Sequence, residues 1–353
     1  MSRLFEPFTL RGVTLRNRIG VSPMCQYSST QGLASDWHLV HLGSRAVGGA
    51  ALVMVEATAV EARGRISPHD MGLWGDEHIE PLARVVRCVE AHGAVAGIQI
   101  GHAGRKAGTA RPWEGGRPLP DADGGWQPIA PSPIPFSQGH RTPTAMTLGD
   151  LAELRRAFVA AAKRALAAGF RWLELHGAHG YLLHGFLSPL SNQRADAYGG
   201  SFDNRIRFVL ETASDVRAAW PDALPLAVRL SCTDWVDGGW ALDESVELSR
   251  RLKGVGVDLI DCSSGGSAPQ VRVPVAPGYQ VEFAERVRAG ARLPTAAVGL
   301  ITEPAQAEAI VASGQADLVL LGRALLREPY WPIRAARELN APPPIPSQYL
   351  RAF

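Results

Sequence analysis

The sequence predicts an α/β fold, a single (β/α)8 TIM barrel over residues 1–353, and three observations carry that expectation. Eight short apolar runs alternate with helical patterns from residue 17 to residue 339, and no change of composition marks a second domain. The runs are close to continuously apolar, AALVMVEATAV at 50–60 and ADLVLLG at 316–322 among them, as parallel strands covered on both faces must be. The first run ends in Ser22-Pro23-Met24-Cys25, not in a Gly-rich dinucleotide fingerprint, and no G-x-x-x-x-G-K-[ST] occurs, so a doubly wound nucleotide-binding sheet is set aside.

Each element has its own signal. Asn17–Met24 is the first strand, stopped by Pro23 and a polar loop, and Asp36–Val47 is its helix, ended by Gly48-Gly49. Ala50–Val60 is the second strand; Asp76–His92 is an amphipathic helix opened by acidic residues and closed at Gly93. Ala94–Ile100 is the third strand. The stretch from Lys106 to Arg141 is too rich in Gly, Pro and Trp for a barrel helix and too aromatic for a disordered linker, so residues 107–146 form an excursion over the mouth of the fold. Thr147 then caps an Ala-rich helix, Leu148–Ala168, with Asp150 at its third position. Phe170–Leu175 is the fourth strand, and a long loop at 184–201 leads to helix Phe202–Ala219. Leu224–Ser231, Val257–Ser263, Pro294–Gly299 and Ala316–Gly322 are the remaining strands, with helices Leu242–Gly254, Gln280–Ala289, Glu303–Ser313 and Ala324–Leu339 between and after them. The tail at 341–353 begins APPPIP and cannot continue a helix.

Composition narrows the function. With 46% hydrophobic and 20% charged residues and a net charge of +2, the chain reads as an ordinary globular protein with no charge surplus for nucleic acid or a membrane surface. No apolar run reaches the ~18 residues of a membrane span and no signal-peptide pattern opens the chain, so a cytoplasmic location is expected. The four cysteines, Cys25, Cys88, Cys232 and Cys262, are scattered without C-x-x-C spacing, which gives no support to a zinc or iron–sulfur centre.

In a barrel the strand C-termini carry the chemistry. After the fourth strand, ELHGAHGY presents His176, His179 and Tyr181 together: two donors able to hold an oxygen and a phenol, of unperturbed pKa about 10, able to give up a proton. The same H-x-x-H could serve a metal, but no carboxylate or third histidine shares the strand, which disfavours a metallohydrolase. Gly299 and Gly322-Arg323 fall at the seventh and eighth strand ends, where barrels bind phosphate; glycine admits backbone N–H groups and arginine adds a forked cation. Gln99 ends the third strand with an amide that suits a heterocycle of alternating C=O and N–H groups. Arg229, inside apolar LAVRLS, needs an anion, either a ligand atom that gains negative charge or an internal partner such as Glu174 or Glu56.

These residues sit in motifs that run nearly end to end: LFEPFTLRGVTLRNRI at 4–19, SPMCQY at 22–27, EATAVEARGRI at 56–66, IQIGHAGRK at 98–106, ELHGAHGYLLHGFLSPLSNQRADAYGGS at 174–201, LLGRALLREP at 320–329 and QYLRAF at 348–353. In them the chain resembles the old yellow enzymes, flavin-dependent ene-reductases, and among these the branch with a cysteine near the flavin. The resemblance implies non-covalent FMN lined by Ser22, Pro23, Met24 and Cys25, with Ala57 and Gln99 at the ring and Arg229 at its N1/O2 edge. It implies that Gly299, Gly322 and Arg323 hold the phosphate, that His176 and His179 clamp the substrate oxygen, and that Tyr181 donates the proton. Tyr27 and Cys25 would contact the substrate. The implied reaction is ping-pong: NADPH, or NADH, reduces the flavin, which then passes hydride to Cβ of an enone, maleimide or nitroalkene while Tyr181 protonates Cα.

The branch also implies a homodimer or homotetramer in which Arg351 reaches a neighbouring active site. Three positions depart from common family usage. The second clamp residue is His179 where many relatives have Asn, Gly177 stands where Ala is frequent, and the chain ends in Phe353 where several relatives end in Trp. Two readings from other classes remain beside this one: a metal-dependent barrel hydrolase built on His176 and His179, and a flavin-binding redox sensor using Cys25.

Overall fold

The computed structural model describes residues 2–352, so Phe353 lies outside the described residues. Eight parallel strands close into a barrel: β1 (Ile19–Val21), β2 (Leu52–Ala59), β3 (Val95–Gly101), β4 (Trp172–Gly177), β5 (Leu226–Ser231), β6 (Leu259–Ser263), β7 (Thr295–Ala297) and β8 (Leu318–Leu321). Each pairs with its neighbour in sequence, and β8 returns to β1 through Val319 opposite Ile19 and Leu321 opposite Val21. This is the (β/α)8 barrel that the alternation predicts. Strands β3 to β6 are buried at every residue, the consequence of helices on one face and packed side chains on the other.

The helices are α1 (Asp36–Val47), α2 (Ile79–Ala91), α3 (Leu148–Ala167), the short α4 (Leu182–Leu187), α5 (Phe202–Ala219), α6 (Leu242–Gly254), α7 (Val281–Ala291), α8 (Pro304–Ala312), α9 (Arg323–Arg327) and α10 (Trp331–Glu338). The start of α3 follows its sequence signal: the Asp150 N–H donates to Thr147 Oγ1 at 3.1 Å, and the Thr147 N–H donates to Asp150 Oδ2 at 2.8 Å. Two expectations are corrected. The helix predicted over Ala324–Leu339 is two helices, because Pro329 excludes helical backbone at Glu328, which sits at φ −135° and ψ 86°. The helix predicted from Asp76 opens with a separate 3-10 turn, Asp76–His78, before α2 begins at Ile79.

Apolar packing falls into two clusters. The larger lies between strands and helices and includes Phe158, Phe186, Phe208 and Trp331. The smaller fills the N-terminal end of the barrel with Leu52, Met54, Trp172, Leu259 and Leu318, and Val13 and Leu15 join it from an antiparallel hairpin, Phe8–Leu10 with Val13–Leu15. That hairpin, which the strand pattern did not disclose, plugs the floor, so the polar strand ends at the opposite rim are the end open to a ligand.

The excursion after β3 contains short 3-10 turns at Pro112–Glu114 and Asp121–Asp123 and a two-residue strand pair, Ile129–Ala130 with Thr144–Ala145. It meets the mouth through Trp113, edge-on to Tyr27 with centroids 5.8 Å apart, and through Phe136, whose ring lies 4.4 Å from Lys106 Nζ. The tail ends in a 3-10 segment, Ser347–Ala352, and the Tyr349 ring packs against Tyr330 at 6.0 Å.

Candidate active site

Strand β4 delivers His176 as its penultimate residue, and the chain then turns sharply through His179 (φ +59°) and Gly180 (φ +72°). Left-handed backbone at a histidine is costly and persists only where its surroundings hold it. Here they do. The His179 N–H donates to Ser231 Oγ at 2.9 Å, Lys106 Nζ donates to the His179 carbonyl at 2.9 Å, and the Gly180 N–H donates to His184 Nδ1 at 2.8 Å. A side chain at Gly180 would collide with the Gly266 carbonyl. The turn stacks three rings almost perpendicular to one another: His176 lies 5.1 Å from His179 and 5.0 Å from Tyr181.

The three rings themselves are uncharged. Burial, and then the Arg229 guanidinium, push the protonation of both His176 and His179 well below the usual imidazole range, so both rings are neutral. The Ala178 N–H donates to His176 Nδ1 at 3.3 Å, which places the ring proton on Nε2. Nε2 has no hydrogen-bond partner among the described residues and is a donor available to a ligand. His179 Nε2 pairs with Ser263 Oγ at 2.7 Å. Burial raises Tyr181 well above the usual phenol value, with Cys25 and Tyr27 adding to it, so the phenol stays protonated. Lys106 Nζ sits 5.1 Å over that ring, and burial followed by Arg105 lowers it to about 8.

The loop after β1 closes the second side. Cys25 is half-buried, and burial, then Asp70 and Glu56, push its thiol well up. A thiol held protonated is a poor redox sensor. Tyr27 (φ +51°) is raised likewise, first by burial. Strand β2 bulges at Glu56, which turns that carboxylate outward to accept the Gln26 N–H at 2.6 Å and leaves Ala57 opposite Gln99. Gln99 Nε2 donates to Glu174 Oε1 at 2.7 Å, and burial, then Asp261, raise Glu174 to about 8. The remaining N–H and the carbonyl oxygen of Gln99 are left for a ligand.

Across the mouth, Arg229, Gly299, Gly322 and Arg323 line one cavity of about 240 Å³, with Tyr279 and Thr302 also on its wall. Met24 borders it: a Cβ on Gly322 would lie 3.6 Å from Met24 Sδ. Gly299 has φ +122°, a conformation for glycine, and a Cβ there would meet Gln280 Nε2 at 2.8 Å. The internal partner of Arg229 is neither Glu174 nor Glu56 but Asp261, whose Oδ2 lies 3.0 Å from Nε. That contact lacks hydrogen-bond alignment, and Nε is buried without an acceptor. The Arg229 guanidinium on the cavity wall, close backbone turns and the exposed Arg323 form a donor set that fits an anionic ring edge at one end and a phosphate at the other. The FMN implied by the sequence fits these residues.

The structure therefore brings together Ser22, Pro23, Met24, Cys25, Tyr27, Ala57, Gln99, His176, His179, Tyr181, Arg229, Gly299, Gly322 and Arg323 around one mouth. It does not bring Arg351 there; that side chain is exposed on the tail. Lys106, Ser231 and Ser263 escaped sequence reading as site residues. Lys106 carried a signal, a cation just past a strand end at the start of the excursion, whereas a strand-end serine is indistinguishable from any other. Among the described residues no group of three or more His, Cys, Asp or Glu is gathered as a metal ion would need, and no helix is long and apolar enough to cross a membrane.

Comparison with known proteins agrees with the barrel fold and with a flavin as cofactor. A family model described as the NADH:flavin oxidoreductase / NADH oxidase family matches residues 3–341. An NADPH dehydrogenase of Geobacillus sp. (strain WCH70) is 49% identical over 352 residues, covering 99% of this chain and 98% of the relative. One from Listeria innocua is 45% identical over 355 residues and covers both chains fully. Among solved structures, morphinone reductase superposes with a TM-score of 0.80 at 25% identity, over 97% of this chain and 91% of its own. A 2-naphthoyl-CoA reductase complex gives a TM-score of 0.85 at 26% identity, over 95% of this chain and 52% of that one.

Proposed function

The chain belongs to the NADH:flavin oxidoreductase / NADH oxidase family, the old yellow enzymes, and from that premise we propose that it reduces the activated C=C bond of small α,β-unsaturated carbonyl compounds, maleimides or nitroalkenes. Membership makes it an oxidoreductase that takes FMN and a nicotinamide reductant. When bound, FMN supplies the hydride relay from NADPH to the substrate β-carbon.

The observation that carries this reading is the neutral, unpartnered Nε2–H of His176 beside a protonated phenol. Two uncharged imidazoles can donate to a carbonyl oxygen without first being neutralised by it, and their N–H groups strengthen as that oxygen becomes an enolate. Tyr181, perpendicular to His176, holds its proton at the hydroxyl until the α-carbon gains electron density. Arg229 holds negative charge at the flavin pyrimidine edge, Gln99 reads the neighbouring amide groups, and Gly299, Gly322 and Arg323 fix the phosphate. Ser22, Pro23, Met24 and Ala57 bound the ring. Cys25 and Tyr27 contact the substrate, and the position of Cys25 beside Met24 supports placement in the cysteine-bearing branch. The exposed Arg351 is assigned to the active site of a neighbouring subunit in a homodimer or homotetramer, and the protein to the cytoplasm, with neither nucleic acid nor membrane as partner.

The test is spectroscopic. The purified protein is expected to be yellow, to bleach with NADPH under anaerobic conditions and to regain its colour on addition of cyclohexenone. Colour regained with oxygen but never with enone, maleimide or nitroalkene would overturn the assignment.

A further inference from the structure

Within the reaction proposed above, on which this inference rests, we propose that His184 is a positioning residue: its imidazole fixes the Gly180 amide and thereby the placement of His179 and Tyr181. His184 is fully buried on α4, the helix that Tyr181 opens, and touches none of the reacting groups. Its Nδ1 accepts the Gly180 N–H at 2.8 Å, so Nδ1 carries a lone pair and the ring proton is on Nε2. Nε2 lies 3.0 Å from Asp234 Oδ1, off the ideal hydrogen-bond line. Asp234 is itself held: Oδ2 accepts from Ser188 Oγ at 2.5 Å and from the Trp240 N–H at 2.9 Å. The carboxylate thus selects the tautomer, and the tautomer leaves Nδ1 free to hold the turn.

Two further features raise this above incidental packing. Gly180 stands between His179 and Tyr181 and follows a residue in left-handed backbone, so its amide is the restraint nearest the strain. A related device recurs on two other loops of the mouth. His102 Nδ1 accepts the Gly104 N–H at 2.9 Å while Nε2 pairs with Glu61 at 2.9 Å. After β1, Glu56 accepts the Gln26 N–H at 2.6 Å while His38 Nε2 pairs with its other oxygen at 3.0 Å. Three loops from three strands each have an amide tied to a His–carboxylate pair.

The experiment compares two substitutions that keep different halves of the imidazole. His184→Asn retains an acceptor near the place of Nδ1; His184→Gln reaches toward Asp234 and leaves the Gly180 N–H without a partner. In the FMN-loaded protein, the asparagine variant is expected to keep reoxidation by cyclohexenone within about threefold of wild type. The glutamine variant should lose about 10- to 100-fold, with flavin reduction by NADPH and Tm alike in the two. In flavin-free protein, hydrogen exchange at the Gly180 amide should quicken in the glutamine variant only. Equal losses in both variants, or unchanged Gly180 exchange in the glutamine variant, would overturn the assignment. Should that variant not fold, the imidazole 15N shifts of wild-type His184 decide: Nε2–H with bare Nδ1 is expected, and a protonated Nδ1 sinks it. A wild type that never reduces enones would refute the functional reading, whereas the exchange and 15N readouts would still judge the latch.

Discussion

The two sides of the barrel mouth are built by opposite means. On the β7–β8 side, Gly299 and Gly322 bring backbone close to the cavity, and of the cations that line it Arg323 and Arg327 are exposed and Arg229 is buried. On the β4 side the working groups are uncharged, His176 is buried, and the amides of residues 178–181 are each tied to a named acceptor. One side can recognise a phosphate by charge, which tolerates small displacements. The other has to present donors and an acid at fixed points, where a displacement of about an ångström costs rate. Damage on the β4 side should therefore remove reaction while sparing cofactor, and damage on the β7–β8 side should do the reverse.

The largest expected effect is Tyr181→Phe. Removal of the proposed proton donor should slow reoxidation of the reduced protein by cyclohexenone by about 10²- to 10⁴-fold, leaving reduction by NADPH and flavin retention close to wild type. Stopped-flow measurement of the two half-reactions checks it; equal loss in both would erase the contrast between the sides. Next in size is Arg323→Ala, which removes the charged donor proposed for the phosphate and should weaken FMN binding by about 10-fold or more, with the rate per bound flavin unchanged. Fluorescence titration of flavin-free protein measures the first quantity. A variant that binds FMN normally but reacts slowly would place Arg323 on the wrong side of the comparison.

How far the sequence disclosed each side follows from its construction. The β7–β8 side is strand-borne: a glycine or arginine at the end of an apolar run is visible wherever the run is, and the positions of Gly299, Gly322 and Arg323 at the mouth are legible from the runs alone. His176, His179 and Tyr181 were legible for the same reason. Their supports were not. Ser231, Ser263 and Asp234 come from other strands and loops, 46 to 84 positions from the residues they touch, and a single sequence does not pair residues at that separation. The floor hairpin is not legible because three-residue strands are too short to show a period, and the last helix reads as one because the helical pattern continues on both sides of Pro329. The apolar setting of Arg229 calls for an anion, but its partner, Asp261, is its register neighbour on β6, a relation visible only once the strands are aligned.

The smallest effect tests whether any charge reaches the neutral side. Lys106 holds the His179 and Gly266 carbonyls at 2.9 and 3.1 Å and lies over the Tyr181 ring, and burial lowers it from the usual lysine value to about 8. Below pH 8 the ammonium favours negative charge on the phenol oxygen as Tyr181 releases its proton; above pH 8 that help is withdrawn. The enone half-reaction should therefore fall by a few-fold, on the order of what one partly screened charge at this range supplies, as pH rises through about 8. Both imidazoles are neutral throughout and contribute no limb of their own above pH 7. Lys106→Met should start from the lower rate and remain flat from pH 7 to 9. Stability moves the other way. Between about 8 and the unfolded lysine value of about 10.4, the native chain binds fewer protons than the unfolded one, so wild type gains stability with rising pH in that window, and the methionine variant does not. A rate limb near pH 8 that survives in Lys106→Met would show that the β4 side is governed by some other charge, and the division between a charged side and a neutral side would have to be redrawn around it.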